Sequence, residues 1–234
     1  MNFWQKISQS IAVPFEMFIS GIKSARGDPD AWETSIRRFE AQDGVQPPPA
    51  DAILFTGSSS FTFWSTLERD MAPMPVINRG FGGARIQDVV HYAARCVLPY
   101  RPRAVVLFAG TNDIAEPKPA SAEQVFEGYR AFVESVQAAL PSTPIYYVSI
   151  TPTPLRWKLW PIADQANRLI EAYTRKDACL HFIDMTAHLL GPDGLPQRKL
   201  YRFDKLHPNK QGYARWTAVI KPILQADLFP SAHP

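Results

Sequence analysis

Four short segments carry residue types that together can transfer an acyl group: Gly57-Ser58-Ser59, Gly82-Gly83, Gly110-Thr111-Asn112-Asp113 and Asp204-Lys205-Leu206-His207. A serine hydroxyl attacks a carbonyl only when a neighbouring base takes its proton. A carboxylate behind an imidazole fixes which ring nitrogen is free to do so. The run Ser58-Ser59-Ser60 offers the hydroxyl at a strand-to-helix turn, where the serine's own N–H can also meet a developing oxyanion. The run itself does not say which serine acts, and serines there also cap helices. The D-x-x-H spacing lets the Asp204 carboxylate fold back onto the His207 imidazole, and Pro208 restricts the backbone that follows. Gly83 allows a backbone N–H to approach a substrate closely, and Asn112 supplies an uncharged side-chain donor. The same two residues also suit a turn glycine and an Asx turn. His91, His181, His188 and His233 have no carboxylate suitably placed and read as structural or surface residues.

The elements that must position these groups alternate. Short apolar runs at 52–56, 75–78, 104–109, 145–150 and 180–184 read as buried strands. Helical patterns follow at 59–70, 86–97, 121–140, 162–175 and 209–225, the last with Asn209 as N-cap and Tyr213, Trp216, Ile220 and Ile223 on one face. Strands alternating with helices predict a parallel sheet covered on both faces, with ligands bound at the carboxyl ends of the strands. The first three chemical segments fall at such ends.

The chain has 234 residues, is 46% hydrophobic and carries a net charge of +3, which fits one domain with a sizeable core and argues against a nucleic-acid partner. Arg198, Lys199, Arg202, Lys205, Lys210 and Arg215 form a local basic run, either a solvated surface or a mild attraction for anionic substrates near His207. Cys96 and Cys179 have no metal-ligand spacing and read as free thiols. Phe3, Ile7, Ile11, Phe15, Phe18 and Ile22 form an amphipathic helical stripe, bent at Pro14. It could dock on its own domain, on a second copy as a homo-oligomer, or on a membrane surface. A second helix at 31–42 and Pro47-Pro48-Pro49 complete an expected N-terminal extension over residues 1–48, ahead of a catalytic domain at 49–228. Lys6 is a thin start for a signal peptide, Pro14 and Glu16 interrupt the apolar run, and no stretch approaches the ~20 residues of a membrane span, so the default expectation is the cytoplasm.

Taken in this order, the four segments resemble the blocks of the SGNH hydrolases, also called GDSL-type esterases and lipases, from about Ile53 to Trp216. The resemblance places the nucleophile at Ser59 and the base and its orienting acid at His207 and Asp204. It places the oxyanion donors at Ser59, Gly83 (five residues after Asn78) and Asn112. It implies a three-layer α/β/α sandwich with a five-stranded parallel sheet, a small-molecule ester substrate, and no metal or organic cofactor. The family's usual Asp before the nucleophile is Ser58 here, and Gly57 to Trp64 is similar to a branch containing G-S-S-S. The expected activity is a serine esterase for short acyl or acetyl esters. A lysophospholipase or thioesterase, or a catalytically weak binding domain, are the alternatives. Arg85, near Gly83, is a candidate contact for a polar leaving group. Trp157 and Trp160 either wall the substrate pocket or serve as core or surface aromatics. A nucleotide-binding reading lacks its motifs: there is no G-x-x-x-x-G-K-S/T loop, and no G-x-G-x-x-G follows the first strand.

Overall fold

The computed structural model describes residues 19–24, 28 and 30–230. The stripe from Phe3 to Phe18, its bend at Pro14, and His233 lie outside the described residues. Residues 19–24 are helical, with Ile19 and Ile22 both exposed.

Helix α1 (Glu33–Val45) leads into β1 (Ile53–Gly57), then α2 (Ser59–Thr62), α3 (Leu67–Met71), β2 (Val76–Gly80) and α4 (Ile86–Cys96). The chain continues through β3 (Ala104–Phe108), α5 (Ala122–Ala139), β4 (Ile145–Val148), α6 (Trp160–Thr174), β5 (Leu180–Ile183), α7 (Thr186–Leu189) and α8 (Lys210–Leu228). The five strands are all parallel, in the order β2-β1-β3-β4-β5. The chain first steps outward from β1 to β2, then crosses back over β1 to β3. The crevice where this direction reverses therefore lies between the carboxyl ends of β1 and β3.

Strand β3 shows why the sheet needs two covers. All five of its residues, Ala-Val-Val-Leu-Phe, are buried. Alternate side chains point to opposite faces. Val105 and Leu107 join one core with Phe39, Val89, Tyr129, Phe132 and Ile170 from α1, α4, α5 and α6. Ala104, Val106 and Phe108 join the other, with Phe61, Met71, Trp216 and Ile220 from α2, α3 and α8. The result is the three-layer sandwich expected from the alternating pattern.

One expected element differs. The helix foreseen over 59–70 is two short helices, α2 and α3, separated by an irregular turn. Trp64 is the cause. Its ring is 1% exposed, lies 5.1 Å from the Tyr213 ring and 5.9 Å from that of Trp216, and its indole N–H donates to Asp70 (2.9 Å). The chain leaves the helix to bury that side chain, and packing outweighs local propensity.

Candidate active site

Ser59 is the first residue of α2, directly beyond β1. Gly57 makes the sharp exit from the strand possible: its φ is +128°, and a Cβ there would meet the Phe108 carbonyl oxygen at 2.0 Å. The short helix is held from both sides. The Asn78 amide, midway along β2, donates to the Phe61 carbonyl (2.7 Å), and the Tyr213 hydroxyl donates to the Ser60 carbonyl (2.8 Å). As the first residue of a helix, Ser59 has an N–H with no intrahelical acceptor.

His207 arrives from the far end of the chain. Its Nε2 lies 2.7 Å from Ser59 Oγ, and its Nδ1 lies 2.7 Å from Asp204 Oδ2. The other oxygen of Asp204 accepts the backbone N–H groups of Leu206 (2.9 Å) and His207 (3.0 Å). The tight turn needed for this puts Lys205 in the left-handed region, at φ 61°. Asn209 then caps α8 through its side-chain oxygen, and its amide donates to the carbonyls of Lys199 and Tyr201. His207 thus sits on a turn fixed at both ends. The Phe63 ring packs edge-on against the imidazole at 4.8 Å, and the Arg202 guanidinium lies over Phe63 at 4.7 Å.

Burial holds the His207 imidazole below its ordinary pKa, although the hydrogen bond and charge of Asp204 pull the other way. Burial acts upward on Asp204, but the ring of His207 and the two backbone N–H groups outweigh it and leave the carboxyl below the usual range. At neutral pH the pair is therefore a neutral imidazole backed by a carboxylate. That state can accept a proton from Ser59.

Gly83 follows β2 with φ +86°, a conformation that favours glycine. Asn112 follows β3. Its side-chain amide donates to the Ala84 carbonyl (3.0 Å), so the second and third segments are joined through this residue. Asp113 ties the same turn to α4: both of its carboxylate oxygens accept the Ile86 N–H (3.1 Å each). Burial pushes the Asp113 carboxyl up to about 6, against the lowering effect of those bonds.

Arg156 was not singled out from the sequence. Its guanidinium donates to the Asn112 side-chain oxygen from both terminal nitrogens (3.3 and 3.2 Å) and to the Thr111 carbonyl. Nothing in the local pattern marks it, because its partners lie more than 40 residues earlier. The three candidate substrate contacts fare differently. Arg85 is the N-cap of α4 and lines a cleft of ≈ 670 Å³ with Ile86, Pro117 and Glu123. Trp157 and Trp160 stack on each other at 6.0 Å, and Trp160 packs against the core. Among the described residues, no hydrogen bond, ion pair or ring contact joins any of the three to Ser59, Asn112, Asp204 or His207.

Cys96 and Cys179 are free thiols. Among the described residues there is no group of three or more His, Cys, Asp or Glu arranged to hold a metal ion, and no helix long and apolar enough to cross a membrane.

The sequence model of the GDSL-like Lipase/Acylhydrolase family matches residues 37–215. No protein of curated function matches the chain. Among solved structures, the chain is similar to a protein from Streptococcus pneumonia described as a platelet activating factor (20% identity, covering 82% of this chain and 92% of that one, TM-score 0.71). It is also similar to a protein from Bacteroides fragilis described as an acylhydrolase (22%, 82% and 96%, TM-score 0.70). A third is a GDSL-like lipase from Bacteroides thetaiotaomicron (22%, 81% and 97%, TM-score 0.68). At these identities the likeness is one of fold.

Proposed function

The chain belongs to the GDSL-like lipase/acylhydrolase family and is a carboxylic ester hydrolase, and we propose that Ser59, His207 and Asp204 are the residues that carry its reaction. The single observation behind this reading is the unbroken hydrogen-bond chain from Ser59 Oγ through both ring nitrogens of His207 to Asp204.

Ser59 Oγ attacks the ester carbonyl carbon while His207 Nε2 takes the hydroxyl proton. Asp204 keeps Nδ1 protonated and stabilises the imidazolium. The negative charge moves onto the carbonyl oxygen, where the N–H groups of Ser59 and Gly83 and the free N–H of the Asn112 amide receive it. Collapse of this intermediate breaks the bond to the alcohol, which takes the proton from His207. A water then attacks the acyl-serine with His207 again as base, and the carboxylic acid leaves. Ser58 stands where the family usually has Asp. Its buried hydroxyl has no protein hydrogen-bond partner among the described residues, and these steps assign it no role.

The preferred substrate is a compact ester with a short acyl group. What supports this is the Arg156 guanidinium bonded to the Asn112 side chain and the Thr111 carbonyl, a charged group next to the proposed oxyanion donor that suits a long alkyl chain poorly. A lipid-like substrate is the second reading. Phe203, next to Asp204, is 95% exposed, and Leu155, whose N–H bonds to the Lys205 carbonyl, is 56% exposed. Hydrolysis of p-nitrophenyl acetate and octanoate by the wild type and Ser59→Ala separates these readings. Activity abolished by Ser59→Ala with acetate preferred supports the first, and octanoate preferred supports the second. Full activity in Ser59→Ala removes the assignment of the nucleophile.

A further inference from the structure

We infer that Arg156 is a positioning residue of the oxyanion hole, which locks the Asn112 amide in one orientation and places behind it a positive charge that no ion pair cancels. This rests on the reading of Asn112 as an oxyanion donor.

The locking follows from donor and acceptor chemistry. A guanidinium can only donate, so the Asn112 atom facing Arg156 Nη1 and Nη2 must be its oxygen. The Ala84 carbonyl can only accept, so the atom facing it at 3.0 Å must be the Asn112 nitrogen. The two neighbours impose the same orientation from opposite sides. A flipped amide would set a carbonyl against a carbonyl and an NH₂ against a cation. One amide hydrogen is used by Ala84, and the second is left to the site.

The guanidinium is itself held in place. Its donation to the Thr111 carbonyl anchors it to the segment that carries Asn112. Its backbone is tied by the Arg156 N–H to the Thr153 carbonyl (3.2 Å), and the neighbouring Leu155 N–H bonds to the Lys205 carbonyl (3.0 Å) inside the D-x-x-H turn. Arg156 thus links the turn that holds the oxyanion donor to the turn that holds the base.

Among the described residues its charge has no ion-pair partner. A guanidinium withdrawn from water is normally matched by a carboxylate. Among the described residues no carboxylate lies within ion-pair distance of Arg156, and its two side-chain acceptors are neutral oxygens. Burial pushes its pKa down to about 10, with the charge of Asp113 acting upward. The same charge acts downward on His207. A positive charge in a partly dry site favours a developing oxyanion, and donation to the amide oxygen strengthens the amide N–H as a donor.

A double-mutant cycle tests this, with p-nitrophenyl acetate hydrolysis by wild type, Asn112→Ala, Arg156→Ala and the double variant. Arg156→Ala is expected to lower kcat by about 10- to 100-fold with KM within about threefold, on the scale of oxyanion-donor losses. In the Asn112→Ala background the same change should cost less than about fivefold. The acid limb of the kcat/KM profile should move to higher pH in Arg156→Ala, because a cation facing His207 has gone. Arg156→Lys, which keeps the charge but not the two-pronged contact, should recover part of kcat. It takes the place of Arg156→Ala in the cycle should thermal melts show that the latter does not fold. An equal cost in both backgrounds, or a raised KM with unchanged kcat, would overturn the inference. An Asn112→Ala variant with unchanged kcat would instead sink the oxyanion assignment beneath it, and is read from that single variant alone.

Discussion

Asp204→Asn should abolish catalysis while leaving the fold in place, for a reason written in the turn itself. One Asp204 oxygen accepts two backbone N–H groups, from Leu206 at 2.9 Å and His207 at 3.0 Å. In the variant the amide oxygen keeps both bonds, since an NH₂ in that place would face two donors. The amide nitrogen must then take the position of Oδ2, 2.7 Å from His207 Nδ1. A donor now faces Nδ1, so the ring carries its proton on Nε2 instead. Nε2, 2.7 Å from Ser59 Oγ, becomes a donor and cannot take the serine proton. Inverting the tautomer in this way costs about 10⁴ in kcat where it has been measured in a serine–histidine–aspartate site, or roughly 5.5 kcal/mol of barrier. The Asp204 side chain is 45% exposed and the turn keeps its backbone bonds, so stability should change by less than about 1 kcal/mol. Steady-state hydrolysis of p-nitrophenyl acetate, a thermal melt, and ¹⁵N spectra of labelled histidine test the three parts. Wild-type His207 should show Nδ1 protonated, and the variant Nε2. A kcat within tenfold of wild type, with the fold intact, would refute this account of Asp204.

Three further outcomes follow from the same structure. Because burial holds His207 below its ordinary pKa of 6.5, the neutral base is already dominant at pH 7; kcat/KM should rise through an acid limb centred below 6.5 and stay level above it, and a limb centred above 7 would contradict this. Ser58→Ala removes a buried hydroxyl that has no partner, so the melting free energy should stay within about 0.5 kcal/mol of wild type and kcat within about threefold; a larger loss on denaturant titration would mean that the hydroxyl does have a role. Asp113 has a folded-state pKa of about 6, raised above its unfolded value, so its stabilising contribution is complete below about pH 4 and is lost as pH rises through 6; Asp113→Asn, which can still accept the Ile86 N–H, should gain stability relative to wild type at pH 8 by up to roughly 2–3 kcal/mol and show little gain at pH 4, whereas an equal shift at both pH values would show that its charge is not the cause.

The parts of this molecule that could be read in its sequence are those governed by local rules. Apolar runs of four to six residues found all five strands to within about two residues at either end, most plainly β1, β3 and β4, which are buried at every position and so must be largely apolar. The D-x-x-H turn was legible because its three-residue span is itself the geometry. Trp64 broke the expected helix because the cavity it fills is made by Tyr213 and Trp216, far along the chain. Arg156 stayed invisible for the same kind of reason. An arginine in a Pro-rich loop reads as a surface residue until the sheet brings that loop beside Asn112. The neighbouring Trp157 and Trp160 stack on each other, and Trp160 also packs against the core, while both keep part of their surface exposed. Arg85 is close to Gly83 in the chain, and it caps the start of α4 and lines a cleft that also includes Asp113, the residue after Asn112.

The most direct test of the central claim is to treat the protein with diethyl p-nitrophenyl phosphate and map the phosphoryl adduct by peptide mass spectrometry. The account predicts one diethylphosphoryl group on Ser59, formed in step with loss of esterase activity and absent from Ser59→Ala and His207→Ala. An adduct on Ser58 or Ser60, or complete inactivation with Ser59 unmodified, would contradict it.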